Sequence, residues 1–438
     1  MAKAKKGTTK KGATKQAASK QAATKGGAEE AATETHFAKW TIMIYMAGDN
    51  NLADDSIRAL TEAREERTFD DIHVVAQIDP SDPRMPTCRL VLNLDDKEKS
   101  PVALRRHSSR RPGNAGPRPR AGVLGFDIIN GLPPGDVPFD DEKSSESARG
   151  AETPATDETD TADPITLFNF ISWVVSNCPA EHYMLVLAGH AAGVETGFLL
   201  KDDNPPGSMK FSQLVDVLRR THEKLGVKLD ILGLDACLMN MVEICYELQP
   251  HVEYLVGTQS FVPDPGWPYK RIVRELKGKV KRGLADPEEM AKTIIYNYVN
   301  SYLENAVLGG LSIDLSALRL ADSVGVAAAL KKLATALCAR LTTKEQPPYL
   351  TREQQAVVLA HWSAQSYNGE LYVDLCDFCE LLETYYFASG VTDDELRAAL
   401  AEVKTAVQRM VLLSCFCGID FQYSNGVSIY FPWSVLIK

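Results

Sequence analysis

"LDILGLDAC" occupies Leu229–Cys237, and "LVLAGH" occupies Leu185–His190. Each is a short apolar run that stops on one chemically able side chain, a thiol in the first and an imidazole in the second. Runs of this length suit strands buried inside a sheet. The surrounding sequence supports that reading. "YMLVLAGH" is preceded by a helical pattern, "DPITLFNFISWVVSNC" (163–178), with Leu167, Phe168, Ile171 and Val174 at helical spacing. It is followed by another, "KFSQLVDVLRRTHEKLG" (210–226), which Gly226 closes. "LDILGLDAC" is followed by the helical "MNMVEICYEL" and then by the strand "VEYLVGTQ" (252–259). Strands that alternate with helices predict a parallel sheet covered on both faces.

Further out, "KWTIMIYMAG" predicts a strand from Trp40 to Met46. A helix capped by Asp49 or Asn50 follows, then strands at 72–79 and 87–94. Beyond "DPGWPY" the chain turns largely helical. A helix is expected over 287–304, a strand-like run over 308–315, and helices near 321–341, 352–365, 372–388 and 394–413. The end, "GIDFQYSNGVSIYFPW", reads as two strands with Ser424-Asn425-Gly426 as the turn between them. Two segments break the pattern. Residues 1–35 are a Lys/Ala-rich, low-complexity tail expected to be disordered, with eight lysines and no acid in its first 27 positions. Residues 95–162 are a charged insertion in which Arg105–Arg120 carries six arginines. The domain plan is therefore a tail (1–35), a first sheet part (36–94), the insertion (95–162), a second sheet part (163–315) and a helical C-terminal region with closing strands (316–438).

Bulk composition narrows the function. The chain has 438 residues, 45% hydrophobic, with a net charge of -10, so it is no generic polyanion binder. The basic tail alone could contact nucleic acid or anionic surfaces, weakly; its plainer role is solubility. The N-terminus has no apolar core for a secretory signal, and no run of about 18 apolar residues predicts a membrane span. Nine cysteines without framework spacing fit reduced thiols and a cytoplasmic setting. Cys376-x-x-Cys379 and Cys415-x-Cys417 have metal-like spacings but no second ligand set. No strand leads into a dinucleotide or phosphate loop, and no G-x-S-x-G elbow marks a serine hydrolase.

In open parallel sheets, functional side chains gather at the carboxyl ends of strands. His190 and Cys237 each end one. A thiol is only slightly ionised at neutral pH, so it needs an imidazole, either as a pre-formed imidazolium partner or as the base during attack. Small residues (Gly189, Ala191, Ala192, Gly193, Ala236) leave room for a substrate backbone. Main-chain N–H groups after His190 and at the start of a helix after Cys237 could serve a developing oxyanion. A structural reading stands beside this one: a lone Cys at a strand end is usually a buried apolar group, and a lone His a satisfied structural one.

"WTIMIYMAGDNNL", "LAGHAAG", "LDILGLDACLMNMVEICYEL", "VGTQSFVPDPGWPY" and "NGVSIYFP" together resemble the clostripain family of cysteine peptidases, of the caspase-like clan. The resemblance covers residues 38–94 and 163–270 well and the last third more loosely. It implies a caspase-like α/β fold: a mostly parallel sheet sandwiched by helices, with a helix-rich C-terminal extension packed on it. It implies Cys237 as nucleophile and His190 as general base and imidazolium partner, with the N–H groups of Cys237 and Ala191 as oxyanion donors. Ala191 replaces the family's usual Gly. The characterised members cleave after Arg or Lys, which implies Asp235 as a pocket acid; Asp264 is the candidate second acid. Asp235 could instead cap a helix, and Asp264 could be a turn residue. The linker Leu199–Phe211 is the expected place of self-cleavage, after Lys201 or Lys210, with the Arg-rich insertion as a competing target. No cofactor is required; a response to calcium would fall to Asp202 and Asp203. The partner is a peptide or protein substrate. A catalytically weak interaction module is the alternative.

Overall fold

The computed structural model describes residues 37–66, 71–81, 87–92, 160–342, 349–388 and 390–433. The chain divides into Met1–His36, which lies outside the described residues, and Phe37–Lys438. The expectations for the tail, and for the insertion up to residue 159, fall outside the described residues.

The elements of the second unit begin with β1 (Ala38–Gly48), α1 (Ala53–Ala63), β2 (Ile72–Pro80), β3 (Cys88–Val91), α2 (Pro164–Asn177) and β4 (Ala180–Ala188). Next come α3 (Gly193–Thr196), β5 (Phe198–Asp203), β6 (Pro206–Lys210), α4 (Phe211–Leu225), β7 (Leu229–Asp235), α5 (Val242–Leu248) and β8 (Val252–Gly257). They continue through α6 (Tyr269–Lys281), α7 (Pro287–Gly309), β9 (Ile313–Arg319), α8 (Ser323–Leu341), α9 (Arg352–Ser363) and β10 (Ser366–Tyr367). The last are β11 (Tyr372–Asp374), α10 (Leu375–Phe387), α11 (Asp394–Met410), β12 (Val411–Cys417) and β13 (Ser428–Tyr430).

Eight strands form the main sheet in the order β12-β9-β8-β7-β4-β1-β2-β3. The contiguous strands β8, β7, β4, β1 and β2 are parallel; β9 and β3 flank them antiparallel. Side chains alternate across this sheet because successive strand residues face opposite sides. Met43, Tyr45, Leu185, Leu187, Leu232 and Leu234 enter the apolar layer under α2, α4, α5 and α8–α11. Ile42, Ile44, Met184, Val186 and Ile231 enter the other, under α1, α6 and α7. The expected fold class, a mostly parallel sheet sandwiched by helices, is the one observed. The strand order turns at β1, which has β2 on one side and β4 on the other, so the carboxyl ends of β1 and β4 open a crevice.

Four expectations are corrected. Leu199–Phe211 is not a free polar linker but the antiparallel hairpin β5–β6 leading into α4. The last long helix stops at Met410, and the apolar run that follows becomes β12, paired antiparallel to β9. Ser424-Asn425-Gly426 does not join two paired strands: β12 lies in the main sheet and β13 in a three-stranded sheet, β10-β11-β13. The strand expected at 308–315 is displaced, because α7 continues to Gly309 and β9 starts at Ile313.

Candidate active site

The pairing register brings the two decisive residues level. Ala188 of β4 lies opposite Asp235 of β7, so His190 and Cys237 each stand two residues beyond a paired position on adjacent parallel strands. Both line one cavity of about 340 Å³, together with Met46, Leu52, Asp235, Phe261, Asp264 and Tyr269. The cavity opens at the carboxyl ends of the strands, where the topology predicts it.

Cys237 lies in a turn, not at a helix start. Its neighbour Leu238 has φ +62°, and α5 begins only at Val242. The expectation of helix N-terminal donors beside Cys237 is therefore not met, and the three N–H groups that follow Cys237 are used within the fold. Leu238 N–H donates to Ser260 O at 2.8 Å, and Met239 and Asn240 N–H donate to Thr258 O at 3.0 and 2.9 Å. These bonds fix the turn against the segment after β8. The N–H of Val262, in that segment, donates to Cys237 Sγ at 3.3 Å. Burial pushes the Cys237 thiol above its ordinary range; the Val262 N–H opposes this, and Asp235 and Asp264 add to the rise. Burial pulls the His190 imidazole down, and the charge of Lys201 adds to that, against Asp264 and Asp203. Both directions favour the neutral form of each group.

His190 Nε2 lies 2.8 Å from Asn51 Oδ1. An amide oxygen accepts only, so Nε2 carries the proton and Nδ1 keeps a lone pair. Asn51 escaped the sequence reading although it stands in the quoted "MAGDNNL". Its one signal was position: it follows β1, the strand beside β4. Asn50 sets this loop by donating from Nδ2 to Ala47 O and Lys201 O, at 2.8 and 2.9 Å.

After His190 the chain makes an isolated bridge, Ala191 to Leu199. Its hydrogen bonds run from Leu200 N to His190 O (2.8 Å) and from Ala192 N to Phe198 O (3.4 Å). That pattern leaves the Ala191 N–H out of the ladder.

Asp235 is 6% exposed. Its Oδ2 accepts from Trp267 N at 3.0 Å and Tyr269 Oη at 2.7 Å. Oδ1 is buried and accepts no hydrogen bond among the described residues. Gly266 has φ +65°, and a Cβ there would come within 2.8 Å of Asp235 Oδ2, so the residue is Gly on both counts. Burial pushes the Asp235 carboxyl up to about 6. The helix-cap reading of Asp235 fails, since its acceptors serve residues 267 and 269. Asp264 is exposed at the cavity rim.

The remaining candidates sit on the hairpin. Lys201, in β5, pairs with Asp203 at 2.7 Å. Lys210 is the exposed residue before α4. Asp202 is fully buried; Oδ2 accepts from Thr161 N and Oγ1 at 2.8 and 2.7 Å, and Oδ1 from Asn204 N at 3.0 Å. The two acids suggested for calcium thus already hold protein donors. Among the described residues no group of three or more His, Cys, Asp or Glu is placed to hold a metal. Cys376 and Cys379 are buried in α10 as core packing. Also among those residues, no helix is long and apolar enough to cross a membrane.

A secreted cysteine protease from Bacteroides thetaiotaomicron, solved with an irreversible peptide inhibitor, superposes with TM-score 0.60 at 17% identity over 92% of this chain and 95% of its own. An inactive zymogen protease from Parabacteroides distasonis gives 0.55 at 18% identity, over 92% and 94%. Clostripain from Hathewaya histolytica is 23% identical over 90% of this chain and 74% of its own length. The protein is a cysteine peptidase with a caspase-like α/β fold. The sequence profile of the clostripain family matches residues 44–434, and the chain belongs to that family. The solved relatives include secreted proteins, so the cytoplasmic expectation draws no support from them, and these comparisons give no support for nucleic-acid contact.

Proposed function

We propose that the chain is an endopeptidase that cuts after Arg or Lys, with Cys237 as nucleophile and His190 as base. The observation that carries this reading is the sharing of one cavity by His190, Cys237 and Asp235, whose buried Oδ1 has no hydrogen-bond partner among the described residues. A guanidinium or ammonium entering there would supply the missing donor and a full charge–charge interaction in a partly dry pocket. Met46, Leu52 and Ala59 offer apolar wall to the aliphatic stem of such a side chain. Asp264, at the rim, adds negative potential at the entrance.

The chemistry follows from the two neutral groups. Cys237 Sγ attacks the scissile carbonyl carbon as Nδ1 of His190 takes its proton. The carbonyl π electrons move onto oxygen, where the N–H groups of Cys237 and Ala191 donate to the oxyanion. The tetrahedral species collapses with C–N cleavage, and the imidazolium gives its proton to the leaving amine. The thioester left behind is attacked by water, which His190 deprotonates. The acid product departs and the thiol is restored. Asn51 holds the imidazole in the required tautomer throughout.

The same site, acting on the chain itself, makes Lys201 and Lys210 the candidate cleavage positions. Both now sit in a closed hairpin, and Lys201 O is held by Asn50. Cutting there requires the hairpin to open.

Mass spectrometry and fluorogenic assays of wild type beside Cys237→Ala test the assignment. Wild type is expected to cleave Arg- and Lys-ended substrates at least about a thousandfold faster than the variant. Turnover that survives in Cys237→Ala, or equal rates on Arg, Lys and Ala substrates, overturns it.

A further inference from the structure

The C-terminal three-stranded sheet reaches both loops of the site. From β13, Ser428 donates through N and Oγ to Asn240 O at 3.0 and 3.2 Å, in the turn that carries Cys237. From β11, Tyr372 reaches the loop that carries His190. Its Oη donates to Ala192 O at 2.8 Å and accepts from Glu195 N at 3.3 Å. Tyr372 is fully buried, and its backbone pairs with Tyr430 of β13. The loop is shaped to receive it. Gly193 has φ +67°, and a Cβ there would stand 2.7 Å from Tyr372 Oη. The His190–Ala192 segment is thus held from one side by the β5 hairpin and from the other by one phenol.

We propose that Tyr372 is a positioning residue for the oxyanion hole. It acts through the Ala192 carbonyl and the Glu195 amide, and so fixes the orientation of the Ala191 N–H. This rests on the reading of Ala191 as an oxyanion donor. The physical basis is that a hydrogen-bond donor serves an oxyanion only when held in place before the charge forms. A loop pinned on one side alone lets the donor wander by fractions of an ångström, and such displacements are costly to rate. Tyr372 and its two partners, Ala192 and Glu195, do not line the Asp235 cavity, so KM is expected to change little.

The test uses the full chain with the substitution Tyr372→Phe, which keeps the ring and removes both hydrogen bonds. On a lysine- or arginine-ended peptide amide, kcat is expected to fall about tenfold while KM stays within about twofold. Alkylation of Cys237 by iodoacetamide, a substitution that forms no oxyanion, is expected to keep its wild-type rate. Gly193→Ala, which drives a methyl into Tyr372 Oη, is expected to reproduce the same split. An unchanged kcat in folded Tyr372→Phe overturns the proposal. So does a parallel loss of alkylation, which would move the effect to the thiol–imidazole pair. Cys237→Ala keeps the two levels apart: turnover surviving in that variant defeats the dyad reading itself, whatever Tyr372 does.

Discussion

At the scale of the residue, Asp235 shows how burial and chemistry combine. Its position two before Cys237 is visible in the sequence, but its state is not. Burial raises it to about 6, while Trp267 N–H and Tyr269 Oη limit the rise. The sign for function is direct. On the proposed reading, above about pH 6 the free enzyme holds a carboxylate able to attract a basic side chain, and below it that carboxyl is neutral. The ratio of kcat/KM for an Arg substrate to that for a neutral one is expected to fall as pH drops through about 6. Bound cation favours the charged carboxylate, so the corresponding fall in kcat lies at lower pH. In Asp235→Asn the ratio becomes flat across this range and at least about tenfold smaller. A ratio in wild type that does not change between pH 5 and 7 contradicts the assignment. Asn51 belongs to the same scale: an exposed Asn after β1 has no distinctive sequence signal until its amide meets an imidazole from another strand.

At the scale of the element, local signals wrote most of the helices. Asp163 before Pro164 caps α2 and accepts from Ile165 N at 2.8 Å. Thr351 and Gln354 form a reciprocal capping box on α9. Asp393 caps α11 and also binds Arg340 of α8 and Tyr386 of α10. Arg340 holds the Asp393 carboxyl down at about 2. Because the folded value lies below the unfolded one, this contribution is complete above about pH 4 and fades as pH falls towards 2. Asp393→Ala is expected to lower unfolding free energy by about 1–2 kcal/mol at neutral pH, with a smaller difference at pH 2.5. Equal stabilities by denaturant titration at neutral pH would refute it. One misread element is β12. "VLLSCFC" continues the apolar pattern of α11 without a break, so periodicity could not mark the change. Pairing with β9 decides it.

At the scale of the whole molecule, buried polar groups join distant segments. Asp314 of β9 takes Thr258 Oγ1 at 2.6 Å, Gln259 N at 2.8 Å and Ser260 N at 3.1 Å, and also the Ser260 hydroxyl. Asp374 takes Gln259 Nε2 at 3.0 Å, Asn425 N at 2.6 Å and Asp377 N at 2.9 Å. Through residues 258–260 these carboxylates support the Cys237 turn, so the C-terminal third is part of the frame around Cys237. Asp374→Ala would leave several buried donors unpaired and is expected to cost on the order of 3 kcal/mol. It should also lower activity in the fraction that stays folded. Wild-type stability in that variant, measured by chemical denaturation, would refute this linkage.

The sequence by itself determined the alternation of strands and helices, and the placing of a thiol and an imidazole at two strand ends. Both are consequences of short-range periodicity, which a chain carries in its own order. Only the tertiary structure decided that Leu199–Phe211 closes into a hairpin, that Val411–Cys417 pairs as a strand, and that Asn51 and Tyr372 hold the His190 loop. Those outcomes depend on partners that are remote in the chain. Such partners are chosen by which buried donors and acceptors meet when the layers pack, and no local pattern encodes that meeting.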